Sequence, residues 1–385
     1  MKQQSIYLDY SASTPVDKEV KKAMDPYFSQ DFGNPGSIHS FGRRAQAAID
    51  NARQTIADEL GAQFEEIIFT SSATEANDLI IDGVFEGSSI KDPRIIISGI
   101  EHESVTQTAL NLQSRGVKVS ILPSSKDGFV DVETLKEELD ENVILVSIIH
   151  GSNEIGTIQP IEEIGSVIRN FKEERHLDYP IFHSDAAQTF QFMNLNMKNL
   201  GLDALTLSAQ KIYGPKGLGV LCVKGDCLIK VRPQLVGGSH ESGLRASTPN
   251  VGAIVGMGKA VELVASHRKD TSKKIGQLRD HFLEGLKKLD SSLEINGSMH
   301  NRLPNNLNIY FKDKENEEMV IKLDQVGVAA SVGSACSVRA SSVAPAVLAM
   351  GFDEMRAKGS IRFSLGKFTT KKEIDNALER VKSVL

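Results

Sequence analysis

At 385 residues the chain is longer than one hydrophobic core usually serves, so two domains packed together are expected. Its 40% hydrophobic and 24% charged residues, with no apolar run of bilayer length, exclude a disordered chain and a membrane-spanning one. A net charge of −6 offers no broad basic footprint, so no direct nucleic-acid contact is expected. Three cysteines (Cys222, Cys227, Cys336) argue for reduced thiols rather than a disulfide framework. The opening MKQQSIYLDYSASTP has no apolar signal region, and the expected compartment is the cytoplasm.

Along the chain, short apolar runs at 67–70, 94–98, 143–149, 181–184 and 204–208 alternate with longer helix-like segments. That alternation predicts βαβ units around a mostly parallel sheet. From about Val251 the pattern changes to a Gly-rich apolar helix. A segment 271–289 follows, with Ile275, Leu278, Phe282, Leu286 and Leu289 at helical spacing. A second, α+β domain is expected there. The last helix opens on a capping box, Thr370 with Glu373, and keeps Ile374, Leu378, Val381 and Leu385 on one face.

Ligands of open α/β sheets bind outside the carboxyl ends of the strands, and here the residues after each apolar run are polar. TSSATEAN follows the first run, and its hydroxyls precede a helix whose N–H groups and positive end suit a phosphate. SGIEHESV brings His102, HGSNEIGTIQP brings Asn153, and HSDAAQ brings Asp185 and Gln188. Taken singly, each is also what an ordinary capped helix or structural polar residue would look like. SAQKIYGPKGLGVL then places Lys211 at the same rim, with neither a GxxxxGK[ST] loop nor a GxGxxG turn to suggest a nucleotide. One cofactor asks for all these partners. Pyridoxal 5′-phosphate needs a lysine to form an imine with its aldehyde, a helix end and hydroxyls for its phosphate, and a carboxylate for its ring nitrogen. Lys211, Thr74 with Ser208, and Asp185 fill those places. No metal is called for.

Ten segments in order, YLDYSAST, GNPGSIHSFGRRA, FTSSATEAN, EHESV, NEIGTIQP, HSDAAQ, SAQKIYGPKG, GLRASTPN, GSACS and SIRFSLG, resemble the cysteine desulfurases of the NifS/IscS type in the class-V aminotransferase family. The resemblance spans nearly the whole chain. It implies the α/β fold-type I, aspartate-aminotransferase-like architecture: a large pyridoxal-phosphate domain at 14–252, and a small domain made of 1–13 and 253–385. It also implies a homodimer acting on L-cysteine, with the sulfur passed to an acceptor or scaffold protein. By motif, His102 stacks on the ring and moves protons, and Asn153 and Gln188 contact the ring hydroxyl and substrate. Ala73, Thr74, Ser208 and Gln210 surround the phosphate, which Thr248 reaches from the second subunit. Arg362 grips the substrate carboxylate, a bidentate task suited to a guanidinium.

Cys336 lies in AASVGSACSVRASS, a run of small residues before Pro345 and a short apolar helix ending at Gly351. Such a loop can expose a thiol, and Arg339 is a candidate source of the positive charge that favours a thiolate. The resemblance implies that Cys336 takes the substrate sulfur as a persulfide and releases alanine. Cys222 and Cys227 read as packing residues. Three positions depart from the family pattern: Gln210 for a histidine, Ser242 for an arginine and Ser152 for an asparagine. The sequence leaves the destination of the sulfur open among iron–sulfur assembly, tRNA thiolation and DNA sulfur modification. Rival readings are a selenocysteine lyase or other enzyme of the same fold, and a non-catalytic sulfur-transfer scaffold.

Overall fold

The computed structural model describes residues 5–333 and 343–385. Its strands in chain order are β1 (Ile6–Tyr7), β2 (Ile67–Thr70), β3 (Arg94–Ser98), β4 (Lys118–Leu122), β5 (Val143–Ser147), β6 (Ile181–Asp185), β7 (Ala204–Ser208), β8 (Gly219–Val223), β9 (Glu294–Asn296), β10 (Asn306–Tyr310), β11 (Val328–Ala329) and β12 (Ser360–Ser364). β2 to β8 form one sheet in the order β2-β8-β7-β6-β5-β3-β4. β8 runs antiparallel to both of its neighbours; the other pairs are parallel. Buried on both faces, β5, β6 and β7 are buried at every residue, as expected of strands in a sheet covered on two sides.

The two-residue period of a strand divides its side chains between two cores. Ile67 and Phe69 join the helix Ser40–Leu60 and the start of the helix Val251–Leu289 on one face; Ile68 joins the helices Ala73–Gly87 and Glu103–Gln113 on the other. A third cluster gathers β1, β10, β12 and the C-terminal helix Lys371–Lys382 around Phe282, Phe311 and Phe363. There β10 pairs antiparallel with both β9 and β12.

All five expected strands form, with one shortened. The run at 143–149 ends as a strand at Ser147: Ile148 N–H still reaches the His183 carbonyl of β6 (3.1 Å), whereas Ile149 N–H is taken by the Glu101 carboxyl (2.7 Å). The edge strand β4 and the antiparallel β8 carry no polar strand-end motif and escaped the sequence reading. The two helical stretches after Val251 are one helix of 39 residues. Its residues Ala253 to Val261 pack into the first core and Ile275 to Leu286 into the third, so one helix serves both cores. The C-terminal capping box is present, with Thr370 Oγ1 accepting from Glu373 N–H at 3.2 Å.

A buried ion pair fastens the connection that leads into this long helix. Arg53 donates to both carboxylate oxygens of Glu241 (2.9 and 2.8 Å), and Glu241 also accepts from Phe69 N–H (2.8 Å). These bonds hold Glu241 and Ser242 at φ of 49° and 56°, a region costly for side-chain-bearing residues. Arg53→Met leaves a desolvated carboxylate without its partner and is expected to cost about 3 to 5 kcal/mol in urea denaturation. Adding Glu241→Gln to that variant should recover part of the loss.

Candidate active site

The carboxyl ends of β2, β3, β5, β6 and β7 open on a cleft of about 170 Å³. It collects Ala73, Thr74, His102, Asn153, Asp185, Gln188, Ser208, Gln210, Lys211 and Arg362, ten of the residues singled out from sequence. One other is not brought there. Thr248 is exposed in a separate groove beside Phe28, Asn34 and Pro249. Cys336, with Arg339, lies outside the described residues.

Lys211 closes the single 3₁₀ turn that follows β7, and its Nζ donates to the carbonyls of Ser11 (2.6 Å) and Ala12 (2.8 Å). Gln188 Nε2 donates to the same Ser11 carbonyl at 2.9 Å, so the segment after β1 forms one wall. Lys216 is exposed on the turn beyond. On the opposite wall the helix Ala73–Gly87 begins, N-capped by Ser72, whose Oγ takes the Glu75 N–H at 3.1 Å. Gly219 on β8 allows this approach, since a Cβ there would sit 2.4 Å from the Ser72 carbonyl carbon. Burial raises the Glu75 carboxyl, but hydrogen bonds from Arg245 and Ser71 outweigh that and hold it below its usual range.

Asp185, 5% exposed, ends β6. Its Oδ1 accepts from Ala187 N–H and its Oδ2 from Asn77 Nδ2, both at 2.9 Å. Beside it His102 caps the helix Glu103–Gln113, Nδ1 accepting from Ser104 N–H at 3.1 Å. Burial, aided by the Lys211 charge and opposed by Asp185, lowers the His102 pKa below that of free histidine. Glu101 lies beneath, its carboxyl accepting from Ile149 N–H and from Ser98 Oγ. Burial pushes Glu101 up to about 8, so Asp185 has a neutral neighbour at pH 7 rather than a second carboxylate.

Arg362 reaches the cleft from β12. It is buried; Nη1 donates to the Asn153 carbonyl (3.0 Å) and Nη2 to Asp9 (2.8 Å), while Nε has no hydrogen-bond partner among the described residues. Sequence reasoning missed Asp9, Asn77, Glu101 and Ser104, although each lies within a motif that marked the site. Their signal is only that they are polar and sit beside residues already chosen.

Residues 6–377 match the family described as aminotransferase class-V. The chain belongs to that family. A cysteine desulfurase IscS of Dictyoglomus turgidum is 42% identical over 99% of this chain and 94% of its own length. Among solved structures, a NifS-like protein superposes with a TM-score of 0.91 at 32% identity, covering 99% of each chain. SspA, solved in complex with cysteine, gives a TM-score of 0.81 at 34% identity over 95% of this chain and all of that one. Within the family, then, the chain is a cysteine desulfurase of the NifS/IscS type, a pyridoxal-phosphate enzyme of fold-type I. The donor set fits that cofactor: a lysine amine, a helix N-terminus at the strand rim, a carboxylate fixed by two donors, and a buried Gln188 Oε1 with no partner among the described residues.

A carboxyl whose pKa is raised on folding stabilises the fold fully below its unfolded value and loses that contribution as pH climbs through the folded one. For Glu101 this window runs from 4.5 to about 8. His183, which burial lowers to about 4, acts oppositely, losing its contribution as pH falls below 6.5. The urea midpoint of Glu101→Gln should therefore change less between pH 6 and pH 8 than that of the unmodified protein.

Proposed function

We propose that the enzyme converts L-cysteine to L-alanine and carries the sulfur as a persulfide on Cys336 to an acceptor protein. The meeting of Lys211, Asp185, His102 and Arg362 in one cleft is the observation that supports this best. Pyridoxal phosphate, when bound, supplies the electron sink that weakens the substrate's Cα–H and Cβ–S bonds. Lys211 is its anchor, Asp185 the partner of its ring nitrogen, and His102 the cover on its ring. The helix end at Ala73 and Thr74, with Ser208 and Gln210, receives its phosphate. Asn153 and Gln188 meet the ring hydroxyl and the substrate.

Arg362 receives the substrate carboxylate. Its Asp9 partner competes for the same cation, so substrate binding shares or displaces that ion pair. The Cys336 thiolate attacks the substrate sulfur; an S–S bond forms as the C–S bond breaks, and the electron pair left on carbon takes a proton to give alanine. Lys211 and His102 move the protons.

Thr248, outside the cleft of its own chain, fits a residue that serves the second subunit, which makes the enzyme a homodimer. Cys222 and Cys227 are buried free thiols, in keeping with a reducing cytoplasm. No helix among the described residues is long and apolar enough to cross a membrane. The acceptor belongs to iron–sulfur assembly, tRNA thiolation or DNA sulfur modification. Incubation with L-cysteine, followed by identification of the protein that receives sulfur from Cys336, decides among them.

Cys336→Ala is expected to lose alanine release from L-cysteine while keeping the visible absorbance of the bound cofactor; full activity in that variant rejects the persulfide route. Lys211→Ala is expected to abolish the absorbance and Lys216→Ala to preserve it, with the reverse result overturning the anchor assignment.

A further inference from the structure

His102, Ser104, Asn77 and Asp185 form a hydrogen-bond chain whose directions can be read from its two ends. At one end, Asp185 bound by two donors is a carboxylate and can only accept. Asn77 must therefore turn its amide nitrogen toward Asp185, because the flipped amide would set oxygen against oxygen. This holds even though it leaves the buried Asn77 Oδ1 without a hydrogen-bond partner among the described residues. The same nitrogen donates its second hydrogen to Ser104 Oγ at 2.8 Å. Ser104 Oγ, having accepted, has its own hydrogen free for His102 Nδ1, also 2.8 Å away. At the other end the Ser104 backbone N–H, which can only donate, points at that same Nδ1 from 3.1 Å.

From these contacts we infer that Ser104 and Asn77 are positioning residues that hold neutral His102 with its hydrogen on Nε2. Both donors converge on the lone pair of Nδ1, so a hydrogen there would oppose a backbone N–H that cannot turn away. In the resting enzyme His102 consequently offers its cleft-lining ring as a hydrogen donor at Nε2, and it can act as a base only after that hydrogen has been passed on. The first proton taken from substrate therefore goes to Lys211. Asp185 thereby does two things at once: it partners the ring nitrogen, and through Asn77 and Ser104 it orients the histidine that covers the ring. The inference rests on the pyridoxal-phosphate reading of the cleft for its chemical meaning, but the hydrogen-bond chain itself is independent of turnover.

The test is ¹⁵N NMR of histidine-labelled protein, recorded with pyridoxal phosphate bound and again after its removal, the His102 resonances being assigned by their loss in His102→Gln. The unmodified protein is expected to carry hydrogen on Nε2, with Nδ1 displaced toward the shift of a hydrogen-bonded acceptor nitrogen. Ser104→Ala removes one of two donors and should move Nδ1 toward the unbonded value; Ser104→Thr should restore it. Asn77→Leu, which frees Ser104 to turn, should act in the same direction as Ser104→Ala. A hydrogen on Nδ1 in the unmodified protein, or an Nδ1 resonance that Ser104→Ala leaves in place, overturns the inference. A protein that shows the expected resonances yet releases no alanine from cysteine would instead sink the functional reading alone.

Discussion

A carboxylate taken out of water must be given donors, and the site is arranged around that requirement at Asp185. Two N–H groups meet it, one from the turn after β6 and one from Asn77 on the helix Ala73–Gly87. The second is the more consequential. It ties the helix whose N-terminus faces the cleft to the central strand, so the helix end and the Asp185 carboxylate are set relative to each other by one amide. The neighbouring carboxyl, Glu101, is raised by burial to about 8 and receives both Ile149 N–H and Ser98 Oγ on one oxygen, Oε1. One charged and one neutral acid can then lie close together in a low-dielectric site.

The small body contributes cation and support. Arg362 projects from the strand β12, which is held through β10 to the core around Phe282 and Phe363, and its guanidinium crosses into the cleft to meet Asp9 and the Asn153 carbonyl. A buried arginine needs such partners. The segment from β1 to Thr14 serves both bodies. It pairs with the small one through β11 and Ser364, and its carbonyls at Ser11 and Ala12 accept from Lys211 in the large one. The long helix Val251–Leu289 joins the two cores covalently and by packing.

Much of the site was legible because several of its residues follow apolar runs. Lys211, Asp185 and His102 stand one to four residues past the runs at 204–208, 181–184 and 94–98, and the rule that such ends converge in a parallel sheet places them together. Asn77 and Ser104 were not legible. Each lies on a helix whose partners are distant in sequence, 108 residues for Asn77 to Asp185 and 27 for Asn77 to Ser104, and a polar residue in a first or second helical turn looks like solvent-facing cap chemistry. The length of the helix Val251–Leu289 was not legible either, since a helix continues through a change of composition as long as its apolar stripe is buried in one core and then in another.

By itself the sequence determined the α/β class, the cofactor that the strand-end residues together demand, and the family that ten ordered motifs share. These follow from local periodicity and from residue chemistry, both written along the chain. Only the tertiary structure decided that Arg362 is buried against Asp9 and that burial raises the Glu101 carboxyl to about 8 beside Asp185. Burial and the direction of a hydrogen bond depend on which distant segments enclose a group, and no window of sequence contains that information.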